Sequence, residues 1–265
     1  FTVDAQGRKM SKSLGNVVAP QQVMKVMGAD VLRLWVAATD YRAEMGVSDE
    51  ILKRVAESYR RIRNTSRYLL ANLDGFDPAQ HQLTVTELLP FDQWIVDQAW
   101  QLQQRVIKAY EGYQFHLIYQ ELHQFCSVQL GSVYLDVLKD RMYTLGRDSR
   151  ARRSGQTAMY LVLEAMVRWM APILSFTADE IWQHMPARGL GSPLFSTWFE
   201  GLAPLPDAAA IGPAQWALLM ELREATMRRL EPMRQSKAIG SGLDAEVDVF
   251  LPEAALAQLR DCGSE

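Results

Sequence analysis

The sequence predicts a mainly α-helical protein, on three observations. Apolar residues recur at steps of three and four through most of the 265 residues, the spacing that gathers them on one face of a helix. Strict alternation of the kind a strand needs occurs late, where Ala245, Val247, Val249 and Leu251 alternate with their neighbours. Proline and glycine fall mostly between the periodic stretches, where they start and stop helices.

In chain order, Pro20 suits the first turn of a short helix through Met27, stopped by Gly28. Asp30 is placed to N-cap a second helix carrying Val31, Leu34 and Trp35, and residues 39–47 read as a connection. Ser48 is an N-cap, followed by Asp49 and Glu50 in the first turn, where they complement the helix dipole. The helix that follows, 49–73, aligns Val55, Tyr59, Ile62, Ser66, Leu69 and Leu73 in one stripe. Asp74 to Pro78 is a turn, and Asp92 caps a helix bearing Ile95, Ala99, Leu102, Val106 and Tyr110. A long helical tract covers 115–142, and a helix over 149–170 carries Met159, Leu163, Met166 and Met170 at core spacing. Pro172 ends it and opens another. Residues 186–212 form a loop that Phe195, Trp198 and Phe199 pin to the body, and a last long helix reaches Ser236. The alternating stretch 245–251 then reads as a strand, with a short helix through Leu259. A lone strand and helix cannot bury a sheet, so this end is expected to be part of a truncated small α/β unit.

Composition excludes several classes. Hydrophobic content of 48% and charged content of 22% describe a chain with a core, and no apolar run approaches the roughly 18 residues of a membrane span. Cys126 and Cys262 stand far apart, outside any metal-ligand spacing, which points to a reducing, cytoplasmic setting. The start at Phe1, without an initiator Met or a signal pattern, reads as a cut from something longer. No Walker A loop, His-Glu-x-x-His or Ser-His-Asp arrangement is present. His116 and His123 lie seven apart, wider than a metal pair prefers, and read as polar helix positions.

Net charge is −3, but residues 1–70 carry 12 Lys/Arg against 7 Asp/Glu, leaving 16 against 24 in the remainder. A basic end on an acidic body suits contact with a polyanion on one surface. Two features concentrate that charge. Lys9-Met10-Ser11-Lys12-Ser13 sets two lysines three apart beside serines and glycines, a composition fit for a loop closing over a triphosphate. Arg60, Arg63, Asn64 and Arg67 form a second stripe on the 49–73 helix, with Arg61 nearby and no acidic i+4 partner between 58 and 73. That stripe is either a solvated helix face or an RNA contact, because guanidinium forks suit phosphate oxygens. A second cluster around Gly146 includes Arg150 and Arg153, for which surface charge and phosphate contact both remain open.

The pentapeptide at 9–13 resembles the KMSKS loop of class I aminoacyl-tRNA synthetases, and Gly28-Ala29-Asp30-Val31-Leu32-Arg33 fits the same family. Longer strings are similar to the isoleucyl enzymes of bacterial type: Val47-Ser48-Asp49-Glu50-Ile51-Leu52, Arg61-Ile62-Arg63-Asn64-Thr65, Tyr134-Leu135-Asp136, and Arg168 through Leu174. Valyl- and leucyl-type enzymes share the loop and the helical architecture, and a free-standing RNA-binding helical module is the rival from another class. The resemblance implies a helical anticodon-binding bundle at 48–236, preceded at 1–47 by the KMSKS loop and a stem-contact segment, and followed at 237–265 by the start of the truncated α/β unit. It implies ATP with Mg2+ as cofactor of the intact enzyme, and isoleucine and the tRNA for isoleucine as partners. Lys12 would bind ATP and stabilise the leaving pyrophosphate, with Lys9 in support and Met10, Ser11 and Ser13 in the same ATP-binding loop. Arg60, Arg63, Asn64, Arg67, Arg150 and Arg153 are the candidate tRNA contacts. A monomer is implied, with no metal site in this chain, any zinc module lying past Glu265, and no adenylate formation by these residues alone.

Overall fold

The computed structural model describes residues 1–187, 191–260 and 262, and divides into two compact units, Phe1–Pro204 and Leu205–Glu265. The first unit opens with strand β1 (Thr2–Val3), which pairs in parallel with β2 (Met45–Gly46), Thr2 opposite Met45 and Val3 opposite Gly46. The stretch read as a connection over 39–47 therefore contains a strand. Between them lie helices α1 (Pro20–Met27) and α2 (Ala29–Ala38). Gly28, at φ +89°, joins them in a conformation that side-chain-bearing residues rarely adopt.

Helix α3 (Asp49–Asn72) begins as predicted, with the Ser48 hydroxyl accepting from the Ile51 N–H at 3.2 Å. Its apolar stripe is in the core: Ile62, Ser66 and Leu69 have no exposed surface. A one-turn helix α4 (Pro78–His81) leads to α5 (Pro90–Glu111), α6 (Phe115–Gln124), a π-helical stretch (Phe125–Tyr134) and α7 (Leu135–Thr144). Helices α8 (Arg150–Met170) and α9 (Ser175–His184) complete the bundle. Helix α8 is its axis. Every residue from Ser154 to Val167 is buried, so what the sequence shows as a methionine stripe is a helix covered on all sides.

The tract 115–142 is helical throughout but changes winding in its middle. In a π-helix each N–H bonds five residues back, and a Cβ on Gly131 would lie 2.8 Å from the Cys126 carbonyl oxygen. Glycine is what permits that approach.

Asp92 is not a cap. Leu89 and Pro90 start α5, and the wholly buried Asp92 carboxylate accepts from Tyr134 Oη, both Arg141 terminal nitrogens and the Ser154 hydroxyl. The Arg141 pair is bidentate at 2.7 and 2.8 Å, the geometry that best offsets desolvation of both charges. The loop after α9 is pinned by two of the three aromatics expected: Trp198 meets Tyr110 at 5.7 Å between ring centroids, and Phe199 stacks on the Arg168 guanidinium. Phe195 is 73% exposed and does not pin it.

The second unit contains α10 (Pro213–Gln235) and α11 (Glu253–Arg260), tied by the Gln215 side-chain amide donating to the Gln258 carbonyl at 2.9 Å. The strand expected at 245–251 is not formed. Val247, Val249 and Phe250 are exposed, and among the described residues of this unit no second strand is present to accept the ladder. Alternation without a partner leaves extended chain.

Candidate functional site

The segment from Thr2 to Asn16 folds into a closed loop. Its base is a short antiparallel approach in which Val3 bridges Lys9, Asp4 N donates to Arg8 O, and Met10 N to Thr2 O. Gly7, at φ +74°, makes the first turn. Lys12–Leu14 make a single 3-10 turn, capped by the Ser11 hydroxyl, which accepts from Leu14 N at 3.2 Å, and ended by left-handed Gly15 at φ +66°. Lys9 and Lys12 are exposed, and among the described residues neither has a carboxylate partner. The Lys9 Nζ lies 4.6 Å over the Phe1 ring.

Asp4 anchors the loop from within, accepting from Gln6 N, Arg8 N, Arg8 Nε and Asn16 Nδ2. Those donors, Asn16 foremost, hold its carboxyl well below the usual carboxylate range. Beneath the loop is a largely apolar cavity of about 370 Å³, bounded by Lys9, Met10, Val18, Val23 and Trp35.

Helix α2 joins this loop to the bundle through two side chains. Asp30, expected as the cap of its own helix, instead accepts from Thr177 N at 2.7 Å and Thr177 Oγ1 at 2.6 Å, near the start of α9. Arg33 donates to the carbonyls of Ile173 and Pro172 at 2.7 and 2.9 Å, between α8 and α9. One residue serves orphan donors of a helix start and the other serves carbonyls of the preceding turn.

The arginine stripe of α3 lies on an open face. Arg61, Asn64 and Arg67 are exposed, while Arg60 pairs with Glu57 and Arg63 with Glu180 of α9. Both Arg63 bonds run from Nη2, at 2.7 and 2.8 Å, and that carboxylate raises the guanidinium pKa further. Neither is an i+4 pair: Glu57 precedes its arginine by one turn, and Glu180 is 117 residues away. Arg60, Arg61, Asn64 and Tyr68 form one wall of a cavity of about 540 Å³ whose other wall is Gly131, Lys139 and Tyr143. Tyr143 donates to Tyr68 at 3.2 Å, and burial with that contact lifts the Tyr68 phenol to about 12. Glu57 and Asp136 line the same groove, paired with Arg60 and, at 3.0 Å, with Lys139, so Arg61 is its cation without a carboxylate partner among the described residues. Together with an amide and two phenols, such a cation suits the phosphates and bases of single-stranded RNA.

The second cluster divides. Arg150 is exposed and donates to the Glu87 carbonyl at 3.3 Å. Arg153 is 12% exposed and is occupied by Gly75 O, Gln156 Oε1 and Asp148 Oδ1, so it ties the α3–α4 turn to α8. His123 is not near a ligand set; it stacks on Tyr119 at 6.2 Å between centroids. Among the described residues no group of three His, Cys, Asp or Glu is placed to hold a metal ion.

Comparison with known proteins extends this geometry. Residues 92–249 match the family profile of the anticodon-binding domain of tRNA ligases. The chain belongs to that family. Residues 1–48, the closed loop with α1, α2 and β2, match the class I tRNA synthetases for I, L, M and V. Over all 265 residues the chain is 61% identical to an isoleucine–tRNA ligase of Thioalkalivibrio sulfidiphilus, 58% to one of Nitrosococcus oceani and 59% to one of Methylococcus capsulatus. It spans 28% of the length of each. Among solved structures it resembles the LeuRS in a ternary LeuRS–tRNA–LeuAMS complex of Agrobacterium radiobacter K84 agnB2, with a TM-score of 0.53 over 79% of this chain and 24% of that one. At 20% identity that likeness shows the shared fold of the anticodon-binding bundle. Helix α3, which carries the arginine stripe, precedes the part matched as anticodon-binding domain.

Proposed function

We propose that this chain is the part of an isoleucine–tRNA ligase that carries the KMSKS loop and the tRNA-facing helical bundle. The observation that carries the reading is identity of about 60% to isoleucine–tRNA ligases along the entire chain, including both the lysine loop and α3. In the intact enzyme ATP, with Mg2+, activates isoleucine, and the acyl group passes to the isoleucine tRNA in the cytoplasm; the working unit is a monomer. The functional division follows the sequence: 1–47 for the loop and stem contact, 48–236 for anticodon binding, and 237–265 for a further C-terminal part.

Two sets of residues carry the roles. Lys9 and Lys12 are exposed cations without carboxylate partners among the described residues, which fits a triphosphate: Lys12 offsets charge on the departing pyrophosphate, while Lys9 supports it from a loop shared with Met10, Ser11 and Ser13. Arg60, Arg63, Asn64 and Arg67, with Arg61 on the same helix and Lys139, paired with Asp136, across the groove, meet tRNA, and exposed Arg150 adds a phosphate contact; Arg153 serves the fold.

The test is a salt titration of binding to isoleucine tRNA, with a valine tRNA as competitor, for the chain and for its Arg60→Gln, Arg63→Gln, Arg67→Gln variant. The triple variant is expected to lose about tenfold or more in affinity and to flatten the log–log salt slope by about 2 to 3. An unchanged affinity and slope would show that α3 does not meet RNA. Preference for the isoleucine tRNA that survives rising salt would place base reading in this chain, and equal, steeply salt-dependent binding would leave phosphate contact alone.

A further inference from the structure

Asn16 follows the lysine loop by three residues, and its one side-chain amide touches the loop at three points. Oδ1 accepts from Ser11 N at 2.9 Å; Nδ2 donates to Asp4 Oδ2 at 3.0 Å and, at 3.4 Å, to the carbonyl of Lys9. The amide has only one workable orientation. An ionised carboxylate accepts only and a backbone N–H donates only, so the oxygen must face Ser11 and the nitrogen Asp4.

Little else holds this segment. Residues 11 to 15 have no buried member, and a Cβ added to Gly7 or Gly15 would meet nothing within 4 Å. A loop with so few packing contacts is shaped by its hydrogen bonds, and those made to the charged Asp4 are the stronger kind. Lysine stems are long and rotamer-rich, so what the fold can fix in advance is the backbone from which they depart. Asn16 bonds to the carbonyl of the first lysine residue and to the N–H of the serine immediately before the second.

We propose that Asn16, braced by Asp4, is a positioning residue that sets the backbone of Lys9 and Lys12 for contact with the phosphates of ATP. The proposal rests on the ATP-loop reading above. Asn16→Ala removes all three contacts. Asn16→Asp keeps an acceptor for Ser11 but sets two carboxylates against each other. Exchanging the pair, Asp4→Asn with Asn16→Asp, restores opposite hydrogen-bonding roles across the contact and leaves an oxygen on residue 4 for Gln6 N and Arg8 N, but withdraws the donor from the Lys9 carbonyl and the acceptor from Arg8 Nε.

The experiment has two readouts. In this chain, amide hydrogen exchange at Ser11 is expected to quicken about tenfold or more in Asn16→Ala and Asn16→Asp, and to return toward the parent rate in the exchanged pair. In an isoleucine–tRNA ligase carrying this segment, ATP–pyrophosphate exchange is expected to fall about 10- to 100-fold in Asn16→Ala, with KM for isoleucine unchanged, and to recover in part in the exchanged pair. Full Ser11 protection in Asn16→Ala overturns the proposal. So does undiminished turnover in Asn16→Ala while Lys12→Ala is crippled. Undiminished turnover in Lys12→Ala overturns the ATP-loop reading itself, and the positioning role with it.

Discussion

The carboxylate of Asp30 accepts both the backbone N–H and the hydroxyl of Thr177, 147 residues further along the chain. The two residues are buried, and the contact joins the α2 start to the α9 start. Tyr59 Oη, on α3, also lies 3.0 Å from the same Thr177 hydroxyl, so three helices meet at one side chain. Arg63 and Glu180 link α3 to α9 one turn further on. Segment 1–47 is thus held to the helix that also carries the partner of the arginine stripe.

Removing the Asp30 carboxylate should loosen that junction. Asp30→Ala leaves the Thr177 donors buried without their acceptor, a loss of about 2–3 kcal/mol read as a shift in the urea midpoint at constant slope. Thr177→Val, which removes only the hydroxyl, should cost less. A midpoint shift in Thr177→Val as large as that in Asp30→Ala would assign the cost to the hydroxyl alone.

The Asp92 site is expected to be less forgiving. Arg141→Met leaves a buried carboxylate without its counter-charge and should destabilise by about 3–5 kcal/mol. Asp92→Asn keeps the shape and some hydrogen bonds but loses the charge, and should fall between that variant and the parent. Urea unfolding followed by far-UV circular dichroism gives both values, and near-equal stability of Arg141→Met and parent would refute the assignment.

Gly131 should not accept a side chain. Its Cβ would stand 2.8 Å from Cys126 O, a backbone atom that cannot swing away, so Gly131→Ala must shift the π-helical stretch. The expected cost is about 1–3 kcal/mol by analogy with overpacked sites, set against the modest gain an alanine normally brings to a helix. Thermal melting of the two proteins decides it: a higher midpoint in Gly131→Ala would mean that the tight approach is not what keeps glycine there.

Cys126 offers a pH signature. Its thiol is wholly buried, and burial raises its pKa to about 12. In the unfolded chain a cysteine thiol titrates near about 8.5, so the unfolded state loses the proton first. The stability from keeping this thiol neutral is therefore fully present below about pH 8.5 and is lost as pH rises toward the folded value. Between about pH 9 and 10 the parent should lose about 1 kcal/mol more than Cys126→Ala, measured by urea unfolding at each pH. In native protein an alkylating reagent should modify Cys262, which is part-exposed, far faster than Cys126.

Local chemistry carried the sequence reading wherever cause and effect lie within one turn. Ser48 caps α3, Pro20 opens α1 and Gly28 stops it because each acts on neighbouring backbone groups. The exposure of the two lysines followed from the short, polar, glycine-flanked stretch that carries them. Asp30 and Asp92 show the limit: both are polar residues near a helix start and both read as caps, yet each serves partners that come from other helices. Neither sequence position nor spacing distinguishes a cap from a buried hub.

The sequence by itself determined that this is a helical chain with a basic N-terminal end, where α1 and α3 start, and that a KMSKS-type loop precedes an arginine-bearing helix. Tertiary structure decided which charges are free and which are committed. It committed Arg63 to Glu180 and Arg153 to the fold, left Arg61 and Arg67 without an acidic partner among the described residues, closed the lysine loop with Asp4 and Asn16, and denied residues 245–251 a strand. The physical reason is range. Helix periodicity and capping are satisfied within about four residues, whereas an ion pair or a strand ladder requires a partner that only the packed chain brings within hydrogen-bonding distance.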